Sequence, residues 1–172
     1  MNDLLINSNF TLVIGKNSEQ LLLLSKNIAN KIVSINNIET IYNEMNEKNI
    51  ITLLENSRKN SKPVLLYFNN LISFEMSDSL KSIIYNARHI NIFIVMVLNG
   101  YNHLKPDIRG NVDLVVACKE TEYYIIEKMY EDYFGMIETI EKFKNLIKNI
   151  DENEVLCLNK NKINTYNMAS LK

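Results

Sequence analysis

Three uninterrupted apolar runs, Val64–Phe68, Ile92–Leu98 and Leu114–Cys118, constrain this chain's fold more than anything else in it. A strand with apolar side chains at every position must be covered on both faces, and that happens in a parallel sheet held between layers of helix. Phe10–Ile14, apolar apart from Thr11, is a fourth strand candidate. The segments between them carry apolar residues at helical spacing: Leu21, Leu22, Leu24, Ile28 and Ile32 in 18–33, and Met45, Ile50, Leu53 and Leu54 in 43–59. Alternation of such strands and helices predicts an α/β protein with a mainly parallel sheet flanked by helices.

The other elements follow from punctuation and pattern. Ile38–Tyr42 is a short strand candidate, and Pro63 blocks any helix from running into Val64. Ser77 starts a helix that reaches about Arg88, and 99–109 reads as a loop with Gly100 and Pro106. A helix is expected from Glu120 to Asn149 with a break near Gly135. The tail, Glu154–Leu158 and Ile163–Tyr166 around Asn159-Lys160-Asn161-Lys162, predicts a C-terminal hairpin. At 172 residues the chain is expected to form a single domain, 1–172.

Net charge excludes little except a strong global field. With 19 Lys and Arg against 20 Asp and Glu, nothing draws the whole molecule to nucleic acid or an anionic membrane. Lys59, Lys62, Lys105 and Arg109 are candidates for a small basic surface, so any DNA contact is expected to be weak and salt-dependent. The longest apolar stretch, Ile90–Leu98, is half the ~20 residues of a membrane span, and no signal peptide is visible; a soluble, intracellular protein is expected. Cys118 and Cys157 sit in strand-like runs and read as interior thiols. His89 and His103 have no second ligand at metal-binding spacing, so no metal site is expected. Tyr123-Tyr124 and Tyr130-x-x-Tyr133-Phe134, at helical spacing, suit a core or a partner groove better than base stacking.

The chemistry lies where strands end. Gly15 closes the first strand, followed by a short polar turn and a leucine-rich helix. Strand, glycine and helix form the outline of a phosphate-binding loop, G-x-x-x-x-G-K-[ST], whose lysine reaches the phosphates and whose hydroxyl ligates Mg²⁺. In that frame Gln20 holds the place of the second glycine, Leu21 that of the lysine and Leu22 that of the hydroxyl. Leucine offers neither charge nor a ligand. A plain strand-to-helix turn reads the same way. A shifted frame, Gly15-Lys16-Asn17, would need a glycine where Phe10 stands and a hydroxyl where Asn17 stands.

The run Leu65–Phe68 ends in Asn69-Asn70, where a Walker B strand ends in two carboxylates, one for Mg²⁺ and one for the attacking water. An amide is a poor Mg²⁺ ligand and no base at neutral pH. Asp78 or Glu75 are substitutes for the lost carboxylate only from beyond the strand end, and Asn-Asn also suits an ordinary turn.

Ala87-Arg88-His89-Ile90-Asn91-Ile92, the turn Asn99-Gly100-Tyr101, Pro106 and Ile108-Arg109-Gly110-Asn111-Val112-Asp113 together resemble the poxvirus-type DNA-packaging ATPases of the FtsK/HerA superfamily, found in nucleocytoplasmic large DNA viruses. The resemblance runs over about residues 10–160 and is more specific between 64 and 118. It implies a P-loop NTPase-like fold of the RecA/FtsK type. It places a sensor-like residue at Asn99, Arg88-His89 before the sensor strand, and at Arg109 an arginine that acts on a neighbouring subunit's nucleotide.

Set against the degenerate phosphate loop (Gly15, Lys16, Gln20, Leu21, Leu22) and the degenerate Walker B positions Asn69 and Asn70, the resemblance implies a catalytically inactive homologue. Such a protein would need no ATP or Mg²⁺. It would act through assembly, as a homo- or hetero-oligomer with an active packaging ATPase, in the host cytoplasm or the virion. The alternative is an active or weakly active ATP-dependent packaging ATPase with atypical motifs.

Overall fold

The computed structural model describes residues 1–16, 18–38, 40–42, 52, 62–69, 77–99 and 104–171. Its centre is a sheet ordered β2-β3-β4-β1-β5-β6-β7, with β1 Phe10–Gly15, β2 Thr40–Tyr42, β3 Val64–Phe68, β4 Ile92–Asn99, β5 Leu114–Cys118, β6 Glu154–Asn159 and β7 Lys162–Asn167. The first five in that order pair in parallel, and β6 and β7 join β5 as antiparallel strands. β4 therefore separates β1 from β3, so the first and third apolar segments in sequence are not neighbours.

Every residue of β1, β3 and β5 is buried, as continuous apolar runs require. The pleat sends alternate residues to opposite faces. Phe10, Leu12, Ile14, Leu66, Ile94 and Met96 meet helices α3 (Asp78–Asn86), α5 (Tyr123–Met129) and α6 (Ile140–Asn149) on one face. Val13, Leu65, Val95, Val97 and Val116 meet α2 (Ser18–Asn36) on the other, through Leu21, Leu24, Ile28 and Ile32. Asn37 ends α2 in the left-handed region (φ 52°) while the Ile38 N–H bonds back to the Val33 carbonyl, a closure that suits Asn after a helix. Ser25 of α2 and Tyr67 of β3, both buried, share a hydroxyl–hydroxyl bond of 2.7 Å that ties this helix to the third strand.

Several boundaries differ from the sequence expectation. A short helix, α1 (Asn2–Ile6), precedes β1 and seats Leu5 in the α2-side core; its five residues are too few to show a period. The expected loop 99–109 contains a one-turn helix, α4 (Pro106–Arg109), started by a proline whose missing N–H costs nothing there. The helical stretch expected over 120–149 with a break near Gly135 is two helices, and the interruption is longer than one residue. α5 ends in a π-helical turn, Tyr130–Phe134, and α6 begins only after Thr139, whose side chain accepts the Lys142 N–H. The chain turns there because Phe134 stacks on Phe143 (4.6 Å between ring centroids) and the Tyr130 hydroxyl donates to the Ile137 carbonyl. The C-terminal hairpin is present, its two-residue turn formed by Lys160 and Asn161 with φ of 46° and 64°. The helix expected over 43–59 falls, Thr52 apart, outside the described residues. Among the described residues, no helix is long and apolar enough to cross a membrane.

At the amino-terminal ends of the parallel strands one carboxylate joins three of them. Asp113 Oδ2 accepts the N–H groups of Asn9 and Phe10, both at 3.0 Å, and Oδ1 pairs with the Arg88 guanidinium. The Asp113 N–H in turn bonds the Phe10 carbonyl, and the Asn9 side chain bonds the Ile92 carbonyl. The starts of β1, β4 and β5 are thus fixed by residues about a hundred positions apart. Asp113→Ala leaves two backbone donors and a guanidinium without their acceptor and should lower unfolding free energy by about 1–3 kcal/mol, read from a urea midpoint.

Candidate functional site

Ligands in open parallel sheets sit beyond the carboxyl ends of the strands, and most of the candidate residues gather there. Gly15 ends β1 in register with Asn99, the end of β4. Asn69, exposed, follows β3 on the far side of β4, about 10 Å from β1 at the usual strand spacing. On the other flank Cys118 ends β5 so close to Gly15 that a Cβ on residue 15 would stand 3.0 Å from Cys118 Cβ. A side chain at position 15 would press on Cys118, so glycine suits this approach of two strands. The sequence thus brings the loop, sensor-like and Walker B-like positions to one edge. Asn70, Gly100, Tyr101, His103 and Glu75 lie outside the described residues.

The side chains of the loop are committed to other contacts. Leu21, in the lysine's place, is 1% exposed and packs in the α2-side core, its Cδ1 3.3 Å from where a Gly15 Cβ would be. Leu22 is half-buried on α2. Gln20, in the second glycine's place, donates to the Glu152 carbonyl and lies 3.9 Å from Met168 Sδ, which ties the start of α2 to the C-terminal segment. Lys16 is exposed, yet its ammonium pairs with Glu122. That bond, with the charge of Glu120 adding to it, raises the Lys16 pKa and keeps the lysine cationic.

Two carboxylates at this edge escaped the sequence reading. Glu120, two residues beyond β5, is 3% exposed; its Oε1 accepts the N–H groups of Thr121 and Glu122, and its Oε2 is buried without a hydrogen-bond partner. Glu122 holds Lys16. The signal that finds them is the strand-end rule applied to β5 as well as to β1, β3 and β4. Among the described residues this edge carries Glu19, Glu120, Glu122, Asp151, Glu152 and Glu154 with Lys16, Lys119, Lys144 and Lys148, and Lys119 is itself paired with Glu152. A loop that collects a polyphosphate needs the opposite sign. Asp78 is exposed in the first turn of α3 and pairs with Lys81.

Arg109 lies at the other end of the sheet. It leaves α4 just before β5 and pairs with Asp132 of the π-helical turn, whose burial raises its carboxyl pKa. The six residues of β1 separate the two ends by roughly 17 Å at about 3.3 Å per residue, so Arg109 cannot reach the Gly15 edge of its own chain. Arg88 is spent on Asp113. Tyr123 and Tyr124 are about half exposed at the start of α5, with Lys144 over the Tyr123 ring at 5.2 Å, whereas Tyr133 and Phe134 face the core. Among the described residues no three His, Cys, Asp or Glu side chains are grouped to hold a metal ion.

A family model for the poxvirus A32 protein matches residues 10–165. The chain belongs to the poxvirus A32 family. The resemblance to poxvirus-type packaging ATPases of the FtsK/HerA type is thereby borne out over nearly the whole sheet. The uncharacterized protein 088R of Invertebrate iridescent virus 3 is 31% identical over 65 residues, which is 38% of this chain and a quarter of that protein. Among solved structures, the genome packaging NTPase B204 of Sulfolobus turreted icosahedral virus 2, in complex with AMPPCP, superposes with a TM-score of 0.70 at 11% identity, over 92% of this chain and 96% of that one. A DNA-packaging ATPase B204 from Sulfolobus turreted icosahedral virus gives 0.70 at 12% identity, over the same shares. At such identity the likeness is one of fold: a P-loop ATPase packaging fold with a mostly parallel core.

Two measurements check the geometry. Gly15→Ala forces a methyl against Cys118 and should cost about 1–3 kcal/mol of stability, visible as a lower denaturant midpoint. Burial pushes both Cys118 and Cys157 up to about 12. Iodoacetamide at pH 8 should therefore label neither thiol in the folded chain and both in denaturant. Unfolded thiols ionise near 9, so their share of stability is intact below that pH and declines as pH rises toward 12.

Proposed function

We propose that this chain is a non-hydrolysing member of its family that acts through protein assembly in viral DNA packaging or morphogenesis. One observation carries the reading: the position that should supply the phosphate lysine is a core leucine, Leu21, at an edge where carboxylates outnumber lysines among the described residues. The neighbouring Lys16 is neutralised by Glu122, and the strand beside it ends in Asn69 where a metal-binding carboxylate would stand. Loss of charge, ligand and base at separate positions, inside a sheet whose packing is intact, fits a protein kept for its shape.

Arg109 fits the assembly role. It is remote from its own chain's loop and half-buried against Asp132. In a head-to-tail arrangement the amino ends of one sheet face the carboxyl ends of the next, and there Arg109 would serve an active neighbour. B204 is known in complex with AMPPCP; an active relative of that kind is the partner this reading requires. Lys16 favours the alternative of weak nucleotide binding, because it is exposed, charged and next to Gly15.

Thermal unfolding with ATP, with and without Mg²⁺, decides between them. A ligand at 100 times its Kd adds about 2.7 kcal/mol to the folded state. The expected result is no Mg²⁺-dependent shift for the native chain. A clear shift would establish the alternative. Restoring Gln20→Gly, Leu21→Lys, Leu22→Thr, Asn69→Asp and Asn70→Glu together should bring nucleotide binding back if the frame is right. In a mixed assembly with an active packaging ATPase, Arg109→Ala should lower ATP turnover by tenfold or more.

A further inference from the structure

β7 (Lys162–Asn167) is the last strand of the sheet, and no strand pairs with its outer side among the described residues. Proteins usually blunt such an edge with a proline, a bulge or a charge in mid-strand. β7 has none of these. It reads Lys-Ile-Asn-Thr-Tyr-Asn, with its one charge at the first residue, and it pairs with β6 residue for residue from Lys162 to Asn167. Its outward groups follow from the hairpin. The two-residue turn Lys160-Asn161 is closed by Asn159 and Lys162, a pair that exchanges its hydrogen bonds, so Lys162, Asn164 and Tyr166 turn their backbone groups to β6. Ile163, Thr165 and Asn167 turn theirs outward. That set is symmetric about Thr165.

We propose that β7 pairs antiparallel with β7 of a second copy, about a two-fold axis at Thr165, so that the two sheets become one. Thr165 then faces its own counterpart, and Ile163 of each copy faces Asn167 of the other. Any other register leaves some of the outward N–H and C=O groups unpaired. Charge selects the same arrangement. The turn end of the hairpin carries Lys160 and Lys162, neither in an ion pair among the described residues. The other end carries Asp151, Glu152 and Glu154, with Lys119 and Lys148 as its cations. Antiparallel pairing lays each turn beside the acidic end of the other copy, whereas parallel pairing would join like ends. Beside β7 a groove of about 690 Å³ runs along α6, lined by Ile137, Leu146, Ile150 and Thr165 with Lys142 and Glu154. Leu146 is 46% exposed there. In the pair the two grooves adjoin over the joined strands and add apolar area to hydrogen bonds that alone would cover too little surface for a stable dimer. The contact is the same patch on both copies and closes at two. It leaves both ends of the sheet open and does not depend on whether the chain binds or hydrolyses ATP.

Sedimentation velocity of the full chain, with cysteine variants as reporters of register, is the test. The native chain should pass from monomer to twice that mass with rising concentration. Thr165 is exposed, so Thr165→Lys should keep native circular dichroism and thermal midpoint. It sets two like charges face to face on the axis and should stay monomeric. Thr165→Cys places two thiols on residues whose Cα atoms lie about 5.5 Å apart, within disulfide range, and should give a covalent dimer under oxidised glutathione. Lys162→Cys, roughly 20 Å from its counterpart in this register, should give none. Cys118 and Cys157 are buried, which keeps the background low. A native chain monomeric at every concentration, a folded Thr165→Lys chain that still dimerises, a Thr165→Cys chain that stays free of cross-links, or a Lys162→Cys chain that forms them would overturn the proposal.

Discussion

The Asp113 carboxylate is the constraint on which the rest of the molecule depends. It collects the first N–H groups of β1 and the guanidinium that precedes β4, while its own backbone pairs with Phe10. Fixing the starts of three strands fixes their ends, since each advances by the same rise per residue. Gly15 and Asn99 stay level, and Cys118 closes against Gly15, only because nothing slips at Asn9, Ile92 and Leu114. The chemistry of one edge is thus set by a carboxylate at the opposite one.

That dependence separates what the sheet needs from what stands at its edge. The covered faces of the sheet need volume and apolarity, and they have kept both. The edge has no packing obligation of its own. Leu21 joins Leu24 and Ile28 in the core beneath the loop. Glu122 then holds Lys16, the cation that follows Gly15.

The strand content was legible in the sequence because doubly buried runs such as Val64–Phe68 leave no other interpretation, and Gly15 and Asn99 followed from where those runs end. Local patterns reached less far wherever the deciding contact is distant. Nothing near Arg109 announces Asp132, and nothing near Arg88 announces Asp113, because each pair is joined only when the strands are stacked. The break between α5 and α6 was visible at Gly135, but its length depends on Phe134 meeting Phe143. Glu120 was hidden differently: at the head of a helical stretch it reads as a favourable helix-start charge, and only its burial sets it apart.

Gln20 adds a consequence in time. Gln20, in the first turn of α2, is held by Glu152 and Met168, and Met1 rests against Cys157. During synthesis these anchors leave the ribosome 132 and 148 residues after Gln20. The loop therefore cannot take its final shape until residues 152–168 have emerged, and the strand flanking it, β5, stays an open edge until β6 arrives. Contacts of such long sequence separation slow folding and leave strand edges exposed while it proceeds. A chain truncated before Glu152 would carry an unfinished loop.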